Sequence, residues 1–340
     1  MKSGEYLLVA IDGTSSTSEE YTGEFDNKRI KSFVRRFHDD FKIPYSDKIF
    51  IHGPGSNEDD NPGFFEGIGN TIDAGTGASS DEIMRKAYDW LWDKLTLYPQ
   101  AKVIIVGHSR GGHIAIELCR RFRELPSNTF TNKFSKFSAN VTTFKDRITG
   151  RGTFLDPFKR IRGIGNSARE FFRSGIPIHF LGLYDAVDMT RALGNTTTIP
   201  DNVTCCFRIQ RNPQLGSRNF WGFTGSNSEV NRLNHPTPLL VNSTHGALGG
   251  AYPSACKAAD PGFGGFIGSA YSRVAGEDVC NFALSAEMNN KNANMANHAL
   301  RKFFLEHTGA NLLRASGDFN LTPQDTMPEN LNNAQVLVTH

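Results

Sequence analysis

The sequence predicts an α/β protein, a mostly parallel sheet with helices on both faces. Three observations carry that expectation. Short and almost wholly apolar runs, such as Tyr6 to Ile11 and Ala101 to Val106, read as strands buried on both faces. These runs alternate with stretches whose apolar residues recur at helical spacing. One of them leads directly into a glycine-rich turn that opens a helix, the unit from which parallel sheets are assembled. The 340 residues, 38% hydrophobic and 21% charged, allow one large domain or two ordinary ones and suffice to bury a core.

Taken in order, Tyr6 to Ile11 is the first strand. A polar stretch follows, then a helix expected over Asn27 to Phe41, and Lys48 to His52 reads as the second strand. Residues 53 to 80 hold seven glycines with many Asp, Asn and Ser, which predicts a long loop. A helix is expected from Ser79, where Ser79 and Glu82 stand at capping-box spacing. Ile83, Ala87, Trp90, Leu91 and Leu95 share its apolar face, and Pro99 lies beyond its end. Ala101 to Val106 is the next strand, followed by Gly107-His108-Ser109-Arg110-Gly111-Gly112. The helix after it is marked by Ile114, Leu118 and Phe122 and stops near Pro126. Ile178 to Tyr184 is a strand ending at Asp185, Val203 to Ile209 another, and Leu239 to Val241 the last, leading to His245. A final helix is expected over Phe282 to His307, with Ala299, Leu300, Phe303 and Phe304 as its apolar side. The core is thus expected over 1–125 and 176–312, with a surface tail over 313–340.

Residues 126 to 175 break the pattern and read as an inserted segment. They carry ten Lys/Arg against three acidic residues, a net of +7, and eight of the 26 phenylalanines. The whole chain is only +2, so the charge is local, and the overall balance argues against a nucleic-acid binder. No apolar run approaches the ~18 residues of a membrane span. The N-terminus lacks the long apolar stretch and small-residue cleavage site of a signal peptide, so synthesis in the cytoplasm without a cleavable leader is expected. The five cysteines, 119, 205, 206, 256 and 280, are odd in number and contain no CxxC pair. They are expected as free thiols in a reducing compartment, with neither a disulfide framework nor a structural zinc.

Chemistry concentrates at Gly107-x-Ser109-x-Gly111. A buried strand ends there and a helix begins, the setting of a nucleophile elbow. Side chains at Gly107 and Gly111 would collide with the packed strand and helix. The turn aims the Ser109 hydroxyl outward and puts the Arg110 amide at a helix N-terminus, where it can donate to an oxyanion. A glycine-rich βα turn that only packs, or binds an anion, is the alternative. Serine needs a base. His245, in Ser243-Thr244-His245-Gly246-Ala247-Leu248-Gly249-Gly250, is expected on a flexible loop suited to that role, with His235 its rival. The acid should end a strand between them, which favours Asp185 over Asp188 and Asp201. A second oxyanion donor is expected from the amide of Gly13 or Thr14 after the first strand, with Asp12 bonding its own backbone to fix the turn.

These pieces together resemble the bacterial α/β-hydrolases of the DUF2235 type, which include the Tle1-type phospholipase effectors of the type VI secretion system. The resemblance rests on Ala10-Ile11-Asp12-Gly13-Thr14, on Gly107 to Gly112, on the strand into Asp185, and on His245 to Tyr252 with its Gly249-Gly250-Ala251-Tyr252. It implies an α/β-hydrolase fold with an inserted cap or lid, Ser109 as nucleophile, Asp185 as acid and His245 as base. It implies cleavage of carboxylic esters of glycerophospholipids, phospholipase A-type, with no cofactor or metal. Delivery by a type VI machine, a membrane phospholipid substrate, and an immunity protein and a secretion-spike or adaptor protein as partners rest on the resemblance alone. His108 and Gly112 stand where Phe and Ala are usual, and Gly246-Ala247-Leu248 is less acidic than usual, departures that bear on substrate preference. The basic, Phe-rich insertion suits anionic headgroups, at about 1 kcal/mol per basic residue near such a surface. It equally suits a lid, or a surface subdomain with its own small core. A soluble esterase or thioesterase on small substrates, and a hydrolase-shaped binding protein without turnover, are the alternative functions.

Overall fold

The computed structural model describes residues 3–13, 31–53, 78–125, 175–187, 198–216, 236–250, 255–258, 278–308 and 312–314. Strands β1 (Tyr6–Ile11), β2 (Lys48–Ile51), β3 (Lys102–His108), β4 (Ile178–Tyr184), β5 (Cys206–Arg211) and β6 (Leu239–Val241) form one sheet in the order β2-β1-β3-β4-β5-β6. Every pairing is parallel. The C-terminal ends therefore line up: Ile11 lies opposite Gly107, His108 opposite Tyr184, Tyr184 opposite Ile209 and Arg211 opposite Val241. In an open parallel sheet that edge is where ligand sites form.

Residue alternation sends side chains to two cores. Leu7, Val9, Ile11, Val103, Ile105, Leu181 and Leu183 pack with helices α2 (Ala78–Leu97) and α3 (Ser109–Arg123). Leu8, Ala10, Ile104, Val106, Phe180, Tyr184 and Phe207 pack on the other face with α1 (Phe33–Asp40) and α5 (Ala286–Thr308), which follows the short α4 (His245–Leu248). Both faces being covered explains why β1 and β3 contain no alternating polar positions. Aromatic rings seal the second face, with Phe37 and Phe304 centred 5.3 Å apart and Phe180 and Phe304 4.9 Å apart. Among the described residues no helix is long and apolar enough to cross a membrane.

Several boundaries differ from expectation. The described part of α1 starts at Phe33, where Ser32 Oγ accepts from the Arg35 amide at 3.1 Å. Helix α2 begins at Ala78, so Ser79 sits inside it and not at a capping position ahead of it. Ile83, Ala87, Leu91 and Leu95 are buried as expected, while Trp90 is half-buried. The strand expected over 203–209 instead spans Cys206–Arg211. Val203 is held in a turn by its amide bond to Pro200 O at 3.1 Å and forms only an isolated bridge with Ile178. Helix α5 starts at Ala286, where Ser285 Oγ accepts from the Met288 amide, and Phe282 stays outside it. Leu312, the last residue of the expected core, is buried, with the Lys42 amide donating to its O at 2.7 Å; Leu313, the first of the expected surface tail, is buried too and bridges Phe41. The expected loop over 53–80, the insertion over 126–175 and the rest of the tail fall almost entirely outside the described residues.

The cysteine reading is corrected. Cys256 and Cys280 form a disulfide with Cα atoms 5.7 Å apart, joining the short parallel strands β7 (Cys256–Ala258) and β8 (Asp278–Cys280). Two lone cysteines 24 residues apart carry no spacing signature, and strands of three residues give no periodicity to read. Cys119, Cys205 and Cys206 are free and buried. Burial pushes the thiols of Cys205 and Cys206 up to about 12, which makes them unreactive.

Candidate active site

The turn between β3 and α3 is shaped by three contacts with backbone. A Cβ on Gly107 would lie 2.6 Å from Gly111 O, and one on Gly111 would run into the carbonyl oxygens of Ile11 and Asp12. Only glycine lets β1, β3 and α3 close to this distance. Ser109 between them has φ 54°, and Asp185 has φ 41°; they are the only non-glycine residues with positive φ among those described. Such conformations cost of order 1 kcal/mol or more and persist where surrounding structure enforces them, often at functional sites. The Val187 amide donates to Ser109 O at 3.1 Å, tying the two strained residues' loops together.

Ser109, His245 and Asp185 meet at that edge. Ser109 Oγ lies 2.8 Å from His245 Nε2, and His245 Nδ1 lies 2.6 Å from Asp185 Oδ2. All three residues are buried. The chain of contacts runs hydroxyl, imidazole, carboxylate, which allows the imidazole to take the hydroxyl proton while the carboxylate fixes its tautomer. Burial alone would raise the Asp185 pKa, but the Arg211 guanidinium and the bond from His245 outweigh it and hold the carboxyl well below its ordinary range.

His245 is not on a flexible loop. It opens α4, a single turn whose cap Thr244 accepts from the Ala247 amide at 3.3 Å through Oγ1. Asn289 of α5 fixes this segment: its Oδ1 accepts from Ser243 Oγ at 2.7 Å and from the Thr244 amide at 2.8 Å, and its Nδ2 donates to Thr244 Oγ1 at 3.0 Å. Asn292 Nδ2 adds a bond to Asn242 O at 2.7 Å. Arg211, the last residue of β5, donates through Nη1 to Asp185 Oδ2 at 2.6 Å and through its amide to Asp185 Oδ1 at 3.2 Å. Sequence reasoning missed all three residues. Arg211 fell beyond the strand as drawn. Asn289, Asn292 and Asn297 are buried in a helix that asparagine does not favour, and that conflict is the signal that would have marked a polar network.

The Gly13 expectation needs a correction. Its amide donates to Asp12 Oδ1 at 2.8 Å, so it is already engaged, and Asp12 fixes the turn as expected. Gly13 instead lets β1 approach: a Cβ there would run into His108 Nδ1 and lie 3.1 Å from Ser109 Cβ. Thr14 lies outside the described residues, as do the rivals Asp188 and His235. Arg110 follows Ser109 in the first turn of α3, where amides point out of the helix end. His108 packs its ring 5.0 Å from that of His245 and donates through Nε2 to His245 O at 3.2 Å. Asp201 is remote from the site, paired with Arg123 on the surface. Among the described residues no group of His, Cys, Asp and Glu could hold a metal ion.

The family model described as "T6SS, Phospholipase effector Tle1-like, catalytic domain" matches residues 6–210, a range that takes in Gly13, the elbow and Asp185 and stops short of Arg211 and His245. No curated protein matches the chain. Among solved structures, it is similar to that of the Tle1 effector bound to the VgrG spike from the Type 6 secretion system, at 14% identity and a TM-score of 0.44, covering 95% of this chain and 77% of that one. It is also similar to an uncharacterized protein from Pseudomonas aeruginosa, at 14% identity and a TM-score of 0.38, covering 96% of this chain and 48% of that one.

Proposed function

The chain belongs to the Tle1-like phospholipase effector family of the type VI secretion system, and from that premise we propose that it is a serine hydrolase cleaving the carboxylic esters of glycerophospholipids, phospholipase A-type. The observation that carries this reading is the run of contacts from Ser109 Oγ through His245 to Asp185, at 2.8 and 2.6 Å.

In this mechanism His245 Nε2 takes the proton of Ser109 Oγ as the oxygen attacks the acyl carbonyl. Asp185 holds Nδ1–H and stabilises the imidazolium. The negative charge on the carbonyl oxygen is met by the Arg110 amide and, in place of the engaged Gly13, by that of Thr14. His245 returns the proton to the leaving alcohol, and the acyl group stays on Ser109. A water, deprotonated by His245, then frees the fatty acid. Export on a type VI spike, and an immunity protein in the producing cell, belong to the same proposal.

The test is lipid product analysis on phospholipid vesicles beside fluorophosphonate labelling, for wild type and Ser109→Ala. Fatty acid release and labelling are expected in wild type, with Ser109→Ala lowering release at least ~1000-fold and abolishing labelling. A short soluble ester cleaved fast while vesicles stay intact would remove the phospholipase assignment.

A further inference from the structure

Arg211 has no step in the reaction above, yet among the described residues none is bound more closely to its acid. It is 4% exposed, and Nη1 donates to Asp185 Oδ2 at 2.6 Å while its own amide donates to Oδ1 at 3.2 Å. His245 Nδ1 lies 2.6 Å from the same Oδ2 and 3.2 Å from Nη1. A single carboxylate oxygen thus receives the imidazole and a permanent cation side by side. Arginine cannot accept, so Nη1 and a protonated Nδ1 do not bond to each other and both converge on Oδ2.

We propose that Arg211 is a positioning residue that fixes the Asp185 carboxylate and keeps His245 unprotonated under acid conditions. The inference rests on the serine-hydrolase reading. Its basis is a charge count. Where a carboxylate alone backs the imidazole, proton uptake takes the pair from −1 to neutral. Here Asp185, Arg211 and His245 begin neutral, and uptake leaves a net positive charge in a buried site, where Coulomb interactions are weakly screened. Among the described residues, Asp185 from the end of β4, Arg211 from the end of β5 and His108 from the elbow are titratable or charged groups that face His245. A charged His108 would repel an imidazolium further, so it acts in the same sense as Arg211. The arrangement makes His245 a weaker base that stays available where an ordinary imidazole would be spent.

The test is the rate of fluorophosphonate labelling of the full chain from about pH 4 to about pH 9, for wild type, Arg211→Lys, Arg211→Gln and His108→Phe. In wild type the rate is expected to hold its plateau below about pH 6.5, the ordinary imidazole value. Arg211→Gln should move the acid limb upward by roughly one pH unit or more. Arg211→Lys, which keeps the charge, should restore it to within a few tenths of a unit of wild type, and His108→Phe should move it less than Arg211→Gln does. An acid limb at or above the ordinary imidazole value in wild type overturns the proposal even if Arg211→Gln fails to fold, and so does coincidence of the Arg211→Gln and wild-type limbs. Absence of labelling at every pH removes the serine-hydrolase reading itself.

Discussion

The half of the site that holds Ser109 and the half that holds His245 are built by different means. Around Ser109 the backbone itself sets the geometry: Gly107 and Gly111 let β1, β3 and α3 touch, and Ser109 is forced to φ 54°. Around His245 side chains do most of the fixing, with Asn289 on Ser243 and Thr244 and Arg211 on Asp185, which is itself held at φ 41°. The difference teaches where tolerance lies. A turn closed by backbone contact has no soft partner that can yield to an added methyl group. A polar network loses its bonds one at a time, and each loss has a graded cost.

Two substitutions separate the halves and a third lies outside both. The largest effect is expected for Gly111→Ala, whose methyl would meet the carbonyl oxygens of Ile11 and Asp12. It should destabilise by about 3 kcal/mol or more and lower hydrolysis by at least ~100-fold, read by thermal unfolding and vesicle assay together. A variant that folds and works normally would show that the elbow is softer than its contacts imply. Asn289→Ala comes next. It strands the Thr244 amide and removes one of two acceptors from Ser243 Oγ, which keeps Asn289 O at 3.1 Å, at a cost of about 1–3 kcal/mol, and should reduce kcat by roughly 10-fold with KM little changed. Equal losses for Gly111→Ala and Asn289→Ala would erase the distinction between the halves. The smallest effect on turnover is expected for Cys280→Ser, which opens the bridge to Cys256. The link closes a loop of moderate length, and its loss should cost roughly 3–4 kcal/mol, seen as a lower unfolding temperature, with turnover at moderate temperature nearly unchanged.

The Ser109 half was also the half that the sequence makes legible. Parallel strands buried on both faces leave unbroken apolar runs, so β1 and β4 fall where their residues place them, while β3 starts one residue later than Ala101 and runs on through Gly107 to His108. The elbow leaves its glycines at fixed offsets because each contact demands the absence of a side chain. The His245 half leaves no such pattern. Strand β5 ends in Arg208, Gln210 and Arg211, polar residues that hide its last turn of pairing from any apolar count. Its partners come from residues far apart in the chain, Asn289 reaching Thr244 and Arg211 reaching Asp185, and side-chain hydrogen bonds of that range have no local period. His245 and Asp185 were found by their residue types and order, while the residues that aim them were not. The flexible loop expected at His245 is a capped turn for the same reason, its rigidity being supplied by a distant helix.

Helix α1 touches both halves at once. At its start Ser32 Oγ donates to Asp12 Oδ2 at 2.6 Å, beneath the Gly13 turn, and the next residue's amide, Phe33, donates to Gly249 O at 3.0 Å, just past α4. At its end Asp40 pairs with Arg301 of α5 at 2.8 Å, and Asp40 O accepts from the Arg314 amide at 2.9 Å. It therefore works as a crossbeam pinned at both ends. The serine side and the imidazole side are thus strapped together by one helix as well as by the sheet between them, so the spacing of the reacting atoms has two independent supports.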